Sequence, residues 1–230
     1  MIVYGRNPVR EAVRGRRNVH RVWAAAGASR EPWLSALPVE AAEGPELEAL
    51  CGSRDHQGLC AEAEPYPYAP AVALLEDPEA LVVCLDQVQD PQNLGSVCRV
   101  AECAGAAGVV IPDRRAAEVT PAVCKASAGA VEHLPVARVR NLADFLAGAK
   151  EAGAWVYGAS GAAGAAPYTT PDYGGRVVLV LGAEGAGLRP RVAQACDALV
   201  ALPMRGRVES LNVATAAAAL VYGILQSRAA

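Results

Sequence analysis

Val177-Val-Leu-Val-Leu-Gly-Ala-Glu-Gly-Ala-Gly-Leu188 is the stretch that decides the fold, because an unbroken apolar run passes directly into a glycine-rich loop. A strand that is apolar at every position is typical of a parallel sheet whose two faces are both covered by helices. The sequence therefore predicts a strand at 177 to 181 in such a sheet, with the loop at its carboxyl end.

Similar short apolar runs alternate with helical patterns along most of the chain. They predict further strands at 81 to 86, 109 to 111, 134 to 138, 154 to 158 and 198 to 202. This alternation indicates an α/β fold with a mostly parallel sheet, in which ligands bind at the carboxyl ends of the strands. The last predicted element is an Ala-rich helix from Leu211 to about Arg228. Apolar residues nearly surround this helix, so it must be buried in the core or against another subunit.

The first 64 residues predict a small α/β unit, with helices near 7 to 15 and 45 to 51 and strands near 20 to 25 and 58 to 63. Three prolines between Glu64 and Pro70 then predict an extended, semi-rigid linker. We therefore divide the chain into a small domain at 1–64, a Pro-rich linker at 65–78 and a second domain at 79–230. Because the linker has little apolar content with which to dock, we expect the two domains to move as separate bodies.

Composition limits the classes of protein and of chemistry. A chain of 230 residues with 53% apolar and 20% charged residues is typical of a soluble globular protein, and it has no signal-like or membrane-spanning segment. The seven cysteines are odd in number and mostly surrounded by apolar residues, which predicts buried thiols in a reducing, cytoplasmic location. The three histidines form no H-E-x-x-H pair, which argues against a zinc site or a His-based triad.

The net charge of -3 conceals a basic N-terminus, where Glu11 is the only acid before residue 22. The arginines of this segment are Arg6, Arg10, Arg14, Arg16, Arg17 and Arg21. A planar guanidinium suits phosphate contacts, so this cluster is a candidate RNA-binding surface. A solvated helix face explains it equally well, and the excess of 19 arginines over 2 lysines also fits a GC-rich genome.

Three segments place polar side chains beside predicted strand ends. In the segment from Leu85 to Arg99, Asn93 lies where a helix N-cap belongs, and Arg99 follows about one and two-thirds turns later. The glycine-rich loop matches neither a P-loop nor a dinucleotide-binding motif, and Glu184 within it disfavours a polyphosphate ligand. In the third segment, Ser210 or Asn212 can simply cap the final helix. Taken singly, each segment is explained by a structural role.

In this order and spacing, the three segments resemble the signature motifs of the SpoU (TrmH) family of RNA 2′-O-ribose methyltransferases, within the SPOUT superfamily. The first motif is matched by Asn93 and Arg99, and the second by Gly182, Glu184, Gly185 and Gly187. The third is matched by Leu202, Pro203, Met204, Ser210, Leu211 and Asn212. Residues 1–64 are similar to the family's small substrate-binding domain, so the resemblance covers nearly the whole chain.

The resemblance implies a fold, a cofactor and partners. It implies a C-terminal deep trefoil knot, a homodimer through the last helix, S-adenosyl-L-methionine as methyl donor and RNA as partner, whereas the histidine pattern predicts no metal. The donor-binding residues it implies are Ala159, Gly182, Leu202, Met204 and Leu211. The catalytic residues it implies are Asn93, Arg99, Glu184, Ser210 and Asn212. The candidate RNA-binding residues are Arg6, Arg10 and Arg14 of the basic N-terminus and Arg99 of the first motif.

The resemblance also suggests a substrate. The small domain looks most like that of the large-subunit rRNA members, the RlmB group, which implies a guanosine of 23S rRNA. A tRNA ribose methyltransferase and a catalytically silent RNA-binding protein on the same scaffold remain alternatives. The family's proposed activating residue corresponds to Arg99, acting with an RNA phosphate. Because a guanidinium almost never loses its proton in proteins, we favour Arg99 as a clamp on phosphate and hydroxyl over Arg99 as a base.

Overall fold

The computed structural model describes residues 1–162, 164–208 and 210–229, and two sheets are present in this part of the chain. The strands of the first sheet are β1 (Ile2–Tyr4), β2 (Val19–Ala24), β3 (Val39–Ala41) and β4 (Leu59–Ala63). Their order is β1-β4-β2-β3, and only the β2–β3 pair is parallel. Two helices, α1 (Arg6–Arg14) and α2 (Gly44–Cys51), accompany this sheet. The predicted helices and strands of the N-terminal unit therefore all form.

The second sheet has seven strands within the described residues. They are β5 (Leu81–Asp86), β6 (Gly108–Pro112), β7 (Val136–Val139), β8 (Trp155–Ala159), β9 (Ala166–Pro167), β10 (Val177–Gly182) and β11 (Ala198–Ala201). The helices around it are α3 (Pro91–Cys103), α4 (Pro121–Ala126), α5 (Leu142–Glu151), α6 (Pro190–Ala195) and α7 (Val213–Arg228). The strand order is β7-β6-β5-β10-β8-β11-β9, and all neighbouring strands are parallel. The prediction of an α/β fold with a mostly parallel sheet is confirmed.

Alternate residues of the central strands face two separate cores. Val83 and Leu179 belong to the core beneath α3 and α7, whereas Val82 and Val180 belong to the core beneath α5 and α6. Both faces of the sheet are therefore covered, which is why these strands are apolar at consecutive positions. Each of the six strands predicted for this region lies within two residues of its observed position.

The final helix differs from its prediction at its start. It begins at Val213 rather than Leu211, because the Asn212 side chain accepts hydrogen bonds from the N–H groups of Ala214 and Thr215 and acts as the N-cap. Leu211 therefore lies in the preceding loop. None of the helices in the described ranges is long and apolar enough to cross a membrane.

The linker and the small domain are docked on the second domain. We expected the two domains to move separately because the linker has few apolar residues, and this docking contradicts that argument. Tyr66 is 7% exposed, and its hydroxyl donates to the carbonyls of Val131 (3.1 Å) and Leu134 (2.9 Å). Arg17 of the small domain forms an ion pair with Glu132 of the second domain, and each side chain is 1% exposed. Arg17 is therefore buried between the two domains and does not belong to an exposed basic cluster. The domain limits themselves stay a prediction.

Candidate functional site

The glycine-rich loop turns sharply at the end of β10. Gly182 has no room for a side chain, because an added Cβ would lie 2.2 Å from the carbonyl carbon of Gly187. Ala183 and Gly187 form an antiparallel bridge across the turn, and Gly185 and Gly187 both have positive φ, at 74° and 66°. Glycine is therefore required here so that the loop can fold back on itself and present Glu184 at its tip.

A buried carboxylate that sequence reasoning missed holds the other end of this loop. Asp86 is fully buried at the end of β5 and accepts hydrogen bonds from the backbone N–H (2.8 Å) and Nε (2.7 Å) of Arg189. Its position at the carboxyl end of an apolar strand was the available signal. The pair fixes where the loop leaves the sheet, so Asp86 positions the loop without facing the cavity described below.

Glu184 forms hydrogen bonds with two other residues predicted to be catalytic, Asn93 and Asn212. Its Oε1 accepts from Nδ2 of Asn93 (3.3 Å), from Nδ2 of Asn212 (2.5 Å) and from the backbone N–H of Val213 (3.3 Å). Asn212 also donates to Oδ1 of Asn93 at 2.8 Å. A carboxylate at the first N–H groups of α7 is also favoured by the dipole of that helix. The three motifs therefore meet at one point through side-chain hydrogen bonds.

One detail of the first motif is corrected. Asn93 is not the N-cap of α3, because the side chain of Asp90 accepts from the Gln92 N–H and Pro91 is the first helical residue. Asn93 lies within the first turn, which leaves its side chain free to bond Glu184 and Asn212. The capping interpretation is therefore wrong for Asn93, whereas it is correct for Asn212.

A cavity of about 480 Å³ opens between the glycine-rich loop, the loop after β11 and the start of α7. All five predicted donor-binding residues line it: Ala159, Gly182, Leu202, Met204 and Leu211. Glu184 and Ser210 line it too. Sequence reasoning missed apolar residues that complete the wall, including Leu181, Val200, Ala216 and Leu220. A concave, mostly apolar space of this size with a few polar groups at its edge is typical of a small-molecule site.

Arg99 is not part of this cavity. It is exposed on α3 and is not among the residues that line the cavity. At 3.6 residues per turn it lies about 240° around the helix from Asn93, close to the flank of Gly95. That flank touches α4, since a Cβ on Gly95 would lie 2.5 Å from Cβ of Ala126. The structure therefore brings together four of the five predicted catalytic residues and places Arg99 on a neighbouring surface.

Nearby carboxylates neutralise part of the positive charge of the N-terminal helix. Arg10 lies 2.7 Å and Arg14 3.7 Å from the Glu11 carboxylate, while Arg6 lies 3.2 Å from Glu31. The three arginines remain on the surface, but part of their charge is compensated. Their contact with RNA stays a prediction.

None of the seven cysteines lines this cavity, and burial makes two of them poor nucleophiles. Burial raises the pKa of the Cys124 thiol to about 12 and that of the Cys196 thiol to about 11. Thiols with such pKa values are protonated at neutral pH and therefore poor nucleophiles. Within the described residues, no group of three or more His, Cys, Asp or Glu side chains is arranged to hold a metal ion.

Two family models and relatives of known name match this chain. A model of the SpoU rRNA methylase family matches residues 80–222, and a model for RNA 2′-O ribose methyltransferase substrate binding matches residues 2–69. The chain is 36% identical to the putative TrmH family tRNA/rRNA methyltransferase YacO of Bacillus subtilis, over 98% of this chain and 95% of the relative.

Solved structures agree over the whole length. The chain superposes on the SpoU methyltransferase AviRb of Streptomyces viridochromogenes in complex with AdoMet, with a TM-score of 0.84 and 27% identity over 100% of this chain and 91% of that one. An AdoMet-bound rRNA methyltransferase from Sinorhizobium meliloti gives a TM-score of 0.83 and 27% identity, over 98% and 86% of the two chains. The names of the relatives include both tRNA and rRNA, so they do not support an RlmB-like specificity in particular.

Proposed function

We propose, from the premise that the chain belongs to the SpoU family of RNA methyltransferases, that it transfers a methyl group from S-adenosylmethionine to a ribose 2′-hydroxyl of RNA. The family's methyl donor is S-adenosylmethionine. The observation that carries the proposal is that Asn93 and Asn212 bond Glu184, which lines the cavity together with all five donor-binding candidates.

The residues of the cavity suit this donor. Leu181, Val200 and Leu220 offer apolar walls to an adenine and a thioether, and the backbone at Gly182 and Leu202 offers hydrogen bonds. Glu184 supplies a negative charge at the edge, which favours a cationic ligand over a polyphosphate. We infer that Ala159, Gly182, Leu202, Met204 and Leu211 hold the donor, which supplies the electrophilic methyl group when bound.

The polar cluster would orient the acceptor ribose. Asn93, Glu184 and Asn212 hold one another in fixed positions, and Ser210 adds a hydroxyl to the same cavity. Methyl transfer requires the attacking oxygen to be aligned with the methyl carbon, and such positioning accounts for much of the rate enhancement. We infer that these four side chains position the ribose.

Arg99 has a different part in this proposal. Its place on the outer side of α3, away from the cavity lining, supports a contact with an RNA phosphate over removal of a proton from the hydroxyl. A guanidinium is also a poor base at neutral pH. Arg99 therefore clamps the RNA strand so that the hydroxyl reaches the cluster.

The threaded chain and the dimer belong to the same proposal. Strand β11 lies between β8 and β9, although only a short loop joins those two strands, so this loop must cross β11 near Val200. This crossing supports a trefoil knot closed by the segment that follows β11.

The outer face of α7 carries Thr215, Ala219 and Tyr222, which are exposed, and Tyr222 is 46% exposed. We infer that this face joins two copies into a homodimer.

The proposed substrate is large-subunit rRNA, with tRNA as the alternative. The S. meliloti structure bears the name of an rRNA methyltransferase, and the B. subtilis relative is named for both RNAs. A catalytically silent RNA-binding protein is disfavoured, since the cluster of Asn93, Glu184 and Asn212 is intact.

One experiment tests the activity and the substrate together. The protein is incubated with S-adenosylmethionine carrying a labelled methyl group and, separately, with 23S rRNA and bulk tRNA from a strain that lacks the gene. We expect label in a 2′-O-methylnucleoside of 23S rRNA after nuclease digestion and mass spectrometry. Label in tRNA alone would favour the alternative substrate. Binding of both RNA and donor without any transfer would contradict the proposed activity.

A further inference from the structure

An exposed arginine loop lies outside the site described above. Residues 113–118 follow β6 and carry Arg114 and Arg115, and Arg140 follows the neighbouring strand β7. The N–H of Asp113 donates to the Val139 carbonyl at 2.9 Å, which places Arg140 beside the start of the loop. All three arginines are exposed, and none forms an ion pair within the described part of the chain.

The carboxylates of this loop are already bound by a fourth arginine. Nε of Arg138 lies 3.3 Å from Asp113 Oδ1, and its Nη2 lies 3.2 Å from Glu118 Oε1. The same guanidinium lies over the Tyr68 ring, 5.3 Å from its centre, and the Tyr68 hydroxyl accepts from the Val119 N–H at 2.9 Å. Arg138 therefore closes the loop at both ends, and the four arginines of this surface outnumber its two carboxylates, Asp113 and Glu118.

The loop is also held in a conformation that side chains rarely adopt. Arg115 has a φ of 58°, in the left-handed region, and Gln87 on the adjacent loop has a φ of 62°. The N–H of Ala117 donates to the Val88 carbonyl at 2.9 Å, which joins the arginine loop to the segment that leads into α3. Such backbone strain persists only where the surroundings fix it, and it is concentrated at functional sites.

We propose that Arg114, Arg115 and Arg140 bind the phosphodiester backbone of the RNA substrate and lead the strand towards Arg99. This inference rests on the proposed function, which makes RNA the partner. The loop lies at the carboxyl edge of the parallel sheet, the same edge as the cavity, and it continues into α4, which touches the α3 flank nearest Arg99. Unlike the arginines of α1, these three form no ion pair within the described residues, and the net charge of the surface is positive, so its field attracts phosphates.

The test is salt-dependent RNA binding by single variants. The probe is a fluorescently labelled RNA stem-loop of about 30 nucleotides and arbitrary sequence, titrated over roughly 0.05 to 0.3 M KCl. Arg115→Gly, Arg114→Gln and Arg140→Gln are each expected to reduce the slope of log K against log salt by about 0.7 to 0.9, since one phosphate contact is lost. Glycine adopts a positive φ without strain, so the Arg115→Gly variant is expected to keep its fold.

A matched control separates a local contact from total charge. Arg191 on α6 is 77% exposed but lies 3.5 Å from Asp144, so its charge is already opposed. Arg191→Gln is expected to leave the slope unchanged. An equal reduction in Arg191→Gln, or an unchanged slope in all three loop variants, would overturn the proposal.

Methylation kinetics provide a second readout. With 23S rRNA, the loop variants are expected to raise KM several-fold and leave kcat and donor affinity within about twofold, because the contact aids binding and not the transfer step. A fall in kcat with KM unchanged would contradict a guiding role. If the parent protein transfers no methyl group, the proposed function fails, while the salt slopes still decide whether the loop contacts RNA.

Discussion

Asn212 combines two tasks that the sequence presents as alternatives. Its Oδ1 caps α7 through the N–H groups of Ala214 and Thr215, and its Nδ2 donates to Glu184 and Asn93. A carboxamide is required for this, because one atom must accept and the other donate. The capping role was therefore predictable from position, whereas the partner of the amide nitrogen depends on a loop 28 residues earlier in the chain.

The first prediction separates these two tasks. Asn212→Asp keeps the cap but places a second carboxylate against Glu184, so we expect it to lower the free energy of unfolding by about 1 to 3 kcal/mol at pH 7. Urea unfolding at pH 7 measures it.

The control for this prediction removes the repulsion. The double variant Asn212→Asp/Glu184→Gln should recover most of the lost stability at pH 7, because the glutamine amide can donate to the new carboxylate. A double variant no more stable than Asn212→Asp would show that the contact with Glu184 has little energetic weight.

The second prediction concerns Arg99. Arg99→Ala should leave donor affinity nearly intact and lower turnover by about 10² to 10⁴, the range typical of losing a group that orients or transfers a proton. Arg99→Lys should recover little, since a point charge lacks the planar two-pronged contact. The measurements are single-turnover methylation of RNA and calorimetric titration of the donor, with Arg191→Ala as the control. Turnover within about threefold of the parent would mean less than about 1 kcal/mol of transition-state stabilisation and leave Arg99 as a surface charge.

At the scale of elements, the apolar strands were the most predictable part of the fold. Strands such as β5 and β10 are buried on both faces, so composition alone identifies them. Strand β9, Ala166–Pro167, has two residues and no pattern of its own, because it forms only by pairing with β11. The arginine loop likewise has no sequence signature, since Arg138 closes it from a different strand.

Helix α7 shows where an apolar pattern is ambiguous. Val213, Ala217, Leu220, Val221 and Ile224 are buried within the protomer, so a charge at Leu220 would test the core and not a dimer. The residues on the other side, Thr215, Ala219, Tyr222 and Gln226, are exposed. A dimer through this helix must therefore use the second set.

The third prediction follows from that division. Tyr222→Glu should convert a dimer to a monomer at micromolar concentration without unfolding the protomer, because it buries an unpaired charge in the interface only. Ala147→Glu, on the exposed side of α5, is the control and should leave the dimer intact. Sedimentation velocity and circular dichroism measure assembly and fold. A parent protein that is itself monomeric and active would contradict the dimer.

At the scale of the whole molecule, a buried ion pair joins the small domain to the second domain. Arg17 donates to both carboxylate oxygens of Glu132 and, at 2.9 Å, to the Glu64 carbonyl. Burial opposes the ionisation of Arg17, but the hydrogen bond to Glu132, the negative charge of Glu132 and smaller contributions from Cys124 together outweigh it and raise the pKa of the guanidinium. The sequence distance of 115 residues explains why no local pattern predicts this contact.

The last prediction tests whether this pair holds the two domains together. Arg17→Met leaves the Glu132 carboxylate, which is 1% exposed, without its charged partner, and breaking a buried pair in this way costs about 3 to 5 kcal/mol. Arg17→Met/Glu132→Leu should recover most of the stability, because an apolar pair of similar volume replaces the ion pair. The control is Arg54→Met: Arg54 is 88% exposed and pairs with Glu48, so the change in stability should be less than about 1 kcal/mol. Urea unfolding gives the free energies, and hydrogen exchange of the α1 amides reports whether the small domain has loosened. If Arg17→Met behaves like Arg54→Met and leaves α1 protected, the buried pair does not fix the domains, and the docking must depend on their other contacts, such as those of Tyr66 and the ion pair of Glu11 with His133.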